Sequence, residues 1–308
     1  MAPVGRSPEL LVNLPLARTA VDRAAERRSD PDLVPQLLAD PATRVLAVRD
    51  GSAEVSADGS RPALVLRPPL PADAHALAVF LGVDGGGTAY VAVDHDAADG
   101  GDAGDLRTLR QVGADLDDRD AGLLTTALGL LNWHRSHTHC PRCGTPTVPA
   151  LAGWLRRCPD DGSEHYPRTD PAVIMSVVDE RERILLARGP QWGARRYSVL
   201  AGFVEPGETL EAAVAREVFE EVGLRVADVR FLGDQPWPFP SSLMLGFTAR
   251  ALGSELALQE DEIAEARWFT REQLLGEVAR GEAGVSHRLS IARALIEHWL
   301  GQPIPEVH

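Results

Sequence analysis

From the N-terminus to about residue 125, short apolar runs alternate with Gly-, Asp- and Ala-rich punctuation. TRVLAVRDGSAEVS (43–56) has the pattern of a strand, an Asp-Gly turn and a second strand, and HALAVFLGVDGGGTAYVAVD (75–94) repeats it. Gly85, Gly86 and Gly87 are therefore expected in a hairpin turn: strands flank them, and a phosphate-binding loop needs a helix to follow. DHDAADGGDAGD (94–105) is expected to be a mobile surface loop. AGLLTTALGLLNWHRSH (121–137) is apolar at helical spacing and leads into a cysteine-bearing stretch. Beyond Thr169 strands and helices alternate: AVIMSVV, RILLAR, YSVLAGFV, a helix over 209–222, VRFLG, SLMLGFTARAL, EARWFT, and helices over 271–280 and 288–300. The pattern predicts a mixed α/β or α+β chain with an N-terminal mixed domain over 1–125, a cysteine module over 126–167 and a third domain over 168–308.

Composition narrows the function classes. A chain of 308 residues with 44% hydrophobic residues can bury real cores, and its formal net charge of −14 disfavours non-specific attraction to nucleic acid or anionic membrane. No apolar run reaches membrane-span length or forms a secretory signal, and three cysteines do not make a disulfide framework. A cytoplasmic location is expected. Every basic Lys/Arg position is arginine, a compositional bias that leaves single arginines little functional weight.

The most informative stretch is GFVEPGETLEAAVAREVFEEVGL (202–224). At 100° per residue, Val214, Val218 and Val222 form one apolar strip, and Glu217, Glu220 and Glu221 share an arc of roughly 100° beside it. Pro206-Gly207 marks the entry turn and Gly223 suits a left-handed C-cap. A solvated acidic face would show the same charges. Converging carboxylates after a Gly-rich turn also suit a hard divalent cation. Gly202, Glu208, Arg216, Glu217, Val218, Glu220, Glu221, Gly223 and Leu224 fill G-x5-E-x7-R-E-U-x-E-E-x-G-U, where U is apolar, without a departure. The segment thus resembles the Nudix box. That resemblance implies an α/β/α Nudix sandwich that hydrolyses a nucleoside diphosphate linked to another group. It also implies Mg²⁺ or Mn²⁺ held by Glu217, Glu220 and Glu221, with Glu262 as a downstream ligand. The same resemblance implies that Glu221 is the catalytic carboxylate, as base or as ligand, and an Arg216–Glu208 pair is expected to orient the set.

GDQPWPFPSS (233–242) addresses the substrate. Pro236, Pro238 and Pro240 lack the N–H that a ladder needs, so an extended, non-strand segment is expected there. Gln235, Pro236, Trp237, Pro238, Phe239, Pro240 and Ser242 match the S-Q-P-W-P-F-P-x-S motif of the NADH pyrophosphatase (NudC-type) branch, with Asp234 in place of the leading serine. The resemblance implies a dinucleotide pocket that uses Gln235, Trp237, Phe239 and Ser242. Tyr166 and Phe203 would stack on a flat ring, and the backbone near Ala292 would lie close to substrate. It further implies NADH or NAD⁺ cleavage to NMN(H) and AMP, removal of NAD caps from RNA, and a homodimer. ADP-ribose hydrolysis and a non-catalytic binding module are the alternatives. Trp237 and Phe239 could equally plug a domain edge.

Relatives of this branch carry a zinc ribbon before the Nudix domain. Cys140 and Cys143 supply a first Cys-x2-Cys pair, but the second is degenerate, with Cys158 followed by Asp161. Asp161 ligates zinc, His165 or another neighbour substitutes, a partly liganded metal persists, or no zinc binds; the sequence leaves all four open. The acidic helix does not depend on the outcome.

Overall fold

The structure, a computed structural model, describes residues 10–56, 59, 61–95 and 104–305. These form two compact units: Pro15–Thr169 with Pro236–Ser242, and residues 10–14 with Asp170–Gln235 and 243–305. The expected loop at 94–105 lies largely outside the described residues.

In the first unit, strands β1 (Arg44–Arg49), β2 (Ser52–Ser56), β3 (Ala63–Leu64), β4 (Leu77–Val83), β5 (Ala89–His95) and β6 (Leu106–Thr108) make a mixed sheet ordered β3-β2-β1-β5-β4, with β6 on β2. The two hairpins read from the sequence are present. β1 and β2 run antiparallel with Val48 opposite Ala53, while β1 and β5 run parallel with Val45 opposite Val91. The three glycines form the β4–β5 turn, where the Asp84 carboxylate accepts from the Gly86 and Thr88 amides at 2.9 Å. Helix α1 (Leu33–Ala39) supplies Leu33 and Leu37 to a core with Val45, Phe80, Val91 and Val93. After the single-turn α2 (Leu109–Val112) comes α3 (Asp118–Ser136), capped by the Asp117 side chain on the Asp120 amide. Nearly all faces of α3 are buried, and the boundary expected at residue 125 falls inside it. The cysteine stretch follows as a small antiparallel sheet of β7 (Val148–Ala150), β8 (Leu155–Arg157) and β9 (Glu164–His165).

The second unit holds β10 (Asp170–Val178), β11 (Ile184–Arg188), β12 (Arg196–Tyr197), β13 (Leu200–Phe203), β14 (Val226–Trp237), β15 (Ser242–Ala251), β16 (Glu265–Phe269) and β17 (Gly284–Val285). The main sheet is ordered β14-β15-β10-β11-β16, with β13 on β10. Successive residues of β10 face opposite ways. Val173, Met175 and Val177 pack with Val214, Val218 and Val222 of α4 (Leu210–Val222), while Ile174 packs with Leu295 and Ile296 of the C-terminal helix. That helix, α6 (Ile291–Leu300), follows α5 (Arg271–Ala279), so a sheet lies between two helical layers: the expected α/β/α sandwich. One expectation is corrected. β14 runs through Pro236 and Trp237 rather than stopping before them. It is an edge strand, where a residue without an N–H is tolerated.

Candidate active site

The acidic helix forms where the sequence places it. Thr209 accepts from the Ala212 amide as N-cap, and Gly223 ends α4 at φ 73°, its N–H donating to the Phe219 carbonyl. The valine strip is fully buried, which fixes the rotation of α4 and sets Glu217, Glu220 and Glu221 on the arc beside it.

Arg216 organises this face. Its guanidinium donates twice to Glu208 at 2.9 Å, to Glu217 Oε1 at 2.8 Å, to Glu220 Oε2 at 3.0 Å and to the Phe203 carbonyl at 2.9 Å. Five bonds use the donors of one guanidinium, so Arg216 orients carboxylates and does not reach for a ligand. The same contacts hold the Glu208 carboxyl below the ordinary range. Gly202 sits opposite Val173 on β10, and a Cβ added there would lie 1.8 Å from Glu217 Cδ. Only glycine lets this carboxylate lie against the strand.

Glu221 differs from its neighbours. It is 8% exposed, and its Oε2 has no hydrogen-bond partner. Burial first, then the charges of Glu217, Glu262 and Glu220, push its carboxyl up to about 8. Burial likewise raises Glu217, with Glu220 and Glu262 adding to the effect. Glu262 is delivered by a loop whose backbone bonds to the helix end, Gln259 N to Glu221 O at 3.1 Å and Glu262 N to Gln259 O at 3.0 Å. The charges of Glu217, Glu220 and Glu262 reach Glu221, and a hard divalent cation would satisfy its unpartnered oxygen and offset that repulsion.

The other residues singled out by sequence fall in varied settings. Tyr166 and Phe203 are 62% and 59% exposed, so neither is a core plug, and the Tyr166 hydroxyl donates to Glu164 at 2.8 Å. Trp237 and Phe239 are half-buried and pack edge to face with ring centroids 4.9 Å apart. Gln235 is fully buried, and its side-chain amide donates to the Leu289 carbonyl at 2.9 Å. Ser242 opens β15, half-buried. The Ala292 amide donates to the Ser290 hydroxyl that caps α6. Asp234 is exposed.

Cys140, Cys143, Cys158 and Asp161 converge, their ligand atoms all within 4.8 Å of one another. Two matching knuckles build the cluster. Gly144 N donates to Cys140 O and Cys140 N to Thr145 O; Gly162 N donates to Cys158 O and Cys158 N to Ser163 O. Asp161 thus occupies the turn position that Cys143 holds in the first knuckle. Cys143 and Cys158 sulfurs lie 3.5 Å apart, and Cys140 Sγ lies 3.8 Å from Asp161 Oδ2. Ligands about 2.3 Å from a tetrahedral zinc would be separated by roughly 3.7 Å, so the donor set fits zinc. Ser163, which the sequence reading passes over, donates to Asp161 Oδ1 from its amide and hydroxyl, and it holds the Asp161 carboxyl well below the usual carboxylate range. His165 bonds to the Ser163 hydroxyl at 3.1 Å and lies outside the cluster.

Known proteins share this organisation. Family models match for the NUDIX domain over residues 168–289, the NADH pyrophosphatase zinc ribbon domain over 135–166 and the NADH pyrophosphatase-like rudimentary NUDIX domain over 35–133. The chain is 41% identical over 305 residues to the NAD-capped RNA hydrolase NudC of Mycobacterium bovis (strain BCG / Pasteur 1173P2), covering 92% of this chain and 94% of that one. It is 41% identical over 197 residues to the NAD-capped RNA hydrolase NUDT12 of Homo sapiens, covering 60% and 43%. Among solved structures, a NUDIX hydrolase from Nitrosomonas europaea aligns with a TM-score of 0.41 at 23% identity, over 54% of this chain and 94% of that one. With an intact carboxylate helix, a zinc-ribbon module and a NudC relative matched over nearly its whole length, the chain belongs to the NADH pyrophosphatase (NudC-type) family of Nudix hydrolases.

Proposed function

We propose that this protein hydrolyses the pyrophosphate bond of NAD(H) to NMN(H) and AMP, and by the same reaction removes NAD caps from RNA 5′ ends. The observation that carries the hydrolytic reading is the buried Glu221 carboxylate, whose Oε2 lacks a partner and which feels the charges of Glu217, Glu220 and Glu262. Intact box carboxylates argue against a non-catalytic module. The substrate reading draws support from the QPWPFP motif and from relatives named NAD-capped RNA hydrolases.

Glu217, Glu220, Glu221 and Glu262 would hold Mg²⁺ or Mn²⁺, which when bound neutralises pyrophosphate charge and lowers the pKa of water. Arg216, braced by Glu208, ties Glu217 and Glu220 in place before substrate arrives, so little reorganisation of these two is needed during reaction. Glu221, shielded from solvent beside the other carboxylates, serves either as a ligand to the cation or as the base for the attacking water. Tyr166, Phe203, Trp237 and Phe239 offer ring faces for the nicotinamide and adenine, a mode that needs no particular hydrogen-bond pattern. Gln235 holds the base of the motif from within the core, Ser242 offers a hydroxyl, and the α6 start around Ala292 offers backbone. Zinc would be bound by Cys140, Cys143, Cys158 and Asp161 in a structural role. A cytoplasmic homodimer completes the reading; light scattering would report twice the chain mass.

The test offers purified protein NADH, NAD⁺, ADP-ribose and a short NAD-capped RNA with Mg²⁺ or Mn²⁺. NADH cleavage to AMP and NMNH, and release of 5′-monophosphate RNA, are expected. Cleavage of ADP-ribose with NADH left whole contradicts the substrate reading. One observation keeps ADP-ribose in the comparison: Asp234 puts an exposed carboxylate where the branch motif has serine. Asp234→Ser is expected to change the ranking of NADH, NAD⁺ and ADP-ribose with little change in melting temperature. An unchanged ranking counts against a role for this charge.

A further inference from the structure

The substrate motif is held by a part of the chain that its sequence gives no reason to connect with it. Pro236–Ser242 spans the end of β14, the connection after it and the first residue of β15, yet it groups with the compact unit Pro15–Thr169. Three prolines deprive this hairpin tip of amide donors, so it fixes itself with few backbone bonds; one is Phe239 N to Trp237 O at 2.7 Å. Two further anchors come from the rudimentary NUDIX domain, residues 35–133. The Arg110 guanidinium lies over the Phe239 ring, 3.8 Å from its centroid, and 5.1 Å from that of Trp237. The Asn132 side-chain amide donates to the Pro238 carbonyl at 3.1 Å.

Both anchors stand on constrained elements. Arg110 lies on α2, a turn pinned by buried Leu109 and Val112 and by the Gln111 side chain accepting from the Thr108 amide at 2.9 Å. Asn132 lies on α3 between buried Leu131 and Trp133. A guanidinium over one ring, an edge-to-face pair and a carbonyl hydrogen bond together define the orientation of both aromatic rings.

We propose that Arg110 and Asn132 are positioning residues: through them the rudimentary NUDIX domain presets the Trp237–Phe239 pair for the dinucleotide, and so sets substrate affinity. This rests on the reading that Trp237 and Phe239 contact substrate. The carboxylate helix lies in the other unit, so the effect falls on KM more than on kcat. Presetting spares the loop an ordering cost at binding.

The test is a double-mutant cycle with Arg110→Met, Phe239→Leu and the double variant, measured on whichever dinucleotide the wild type cleaves. Asn132→Ala and the conservative Arg110→Lys accompany them, with melting temperatures for all. Arg110→Met is expected to raise KM by about threefold to thirtyfold, the span of a lost cation–π contact. Asn132→Ala is expected to raise it by about twofold to tenfold. Both should leave kcat within about twofold, and Arg110→Lys should recover part of the loss. If Arg110 acts through Phe239, the double variant is no worse than Phe239→Leu alone. Additive losses, or an unchanged KM in folded Arg110→Met and Asn132→Ala, would overturn the proposal. Should Arg110→Met fail to fold, Arg110→Lys and Asn132→Ala carry the same comparison. A wild type that prefers ADP-ribose to NADH would refute the substrate reading alone, and the cycle would still decide the positioning role.

Discussion

Glu221 concentrates the energetics of the site in one residue. Burial and three neighbouring carboxylates oppose its charged form and push its carboxyl from 4.5 up to about 8 in the folded, metal-free chain. Between those values the folded state binds more protons than the unfolded one, so this residue's contribution lowers stability as pH rises from about 4.5 to about 8. In EDTA, the melting temperature of the wild type should therefore fall across that window, and Glu221→Gln should flatten the fall. Equal slopes in the two proteins would contradict the assignment. Gly202 makes a second residue-scale case. A methyl group there would overlap the Glu217 carboxylate, so Gly202→Ala must displace that carboxylate while leaving the buried valine strip untouched. A loss of activity of at least about tenfold, with far-UV circular dichroism preserved, is expected, since misplaced catalytic groups can cost about a hundredfold.

At the scale of elements, helix periodicity made the carboxylate face legible. The spacing of Glu217, Glu220 and Glu221 fixes their side of α4, and the structure keeps it. Glu262 was reachable only by resemblance, because a loop rather than a period brings it to the helix. The course of β14 was misread at Pro236: proline chemistry excludes a ladder donor, but the sequence does not reveal that this strand lies at a sheet edge. The second knuckle was half legible. Spacing exposed the missing cysteine, whereas the persistence of the turn around Asp161, and its support by Ser163, depends on backbone geometry. Purified protein is expected to carry one zinc per chain. Cys158→Ser should lose it, and Asp161→Cys should keep it against higher chelator concentrations, since a thiolate is the softer ligand. Metal analysis showing no zinc in the wild type would refute ligation by this set.

Across the whole molecule, local motifs announced the chemistry and long-range placement distributed it. The box carboxylates lie in one unit and residues 236–242 of the substrate motif in the other, a division that no local pattern encodes. Arg110 and Asn132 had no sequence signal, for their partners lie more than a hundred residues away and arginine is this chain's default cation. Both units serve one reaction if the carboxylates cleave the pyrophosphate of a nicotinamide dinucleotide. The most direct measurement is AMP release from NADH with Mg²⁺ or Mn²⁺, by wild type and by Glu221→Gln at matched folded concentration. AMP and NMNH in equal amounts are expected from the wild type, and a rate at least about a hundredfold lower from the variant, the lower end of what a positioned acid or base contributes. A variant as fast as the wild type, or AMP release unaffected by chelating the cation, would contradict cleavage by these carboxylates.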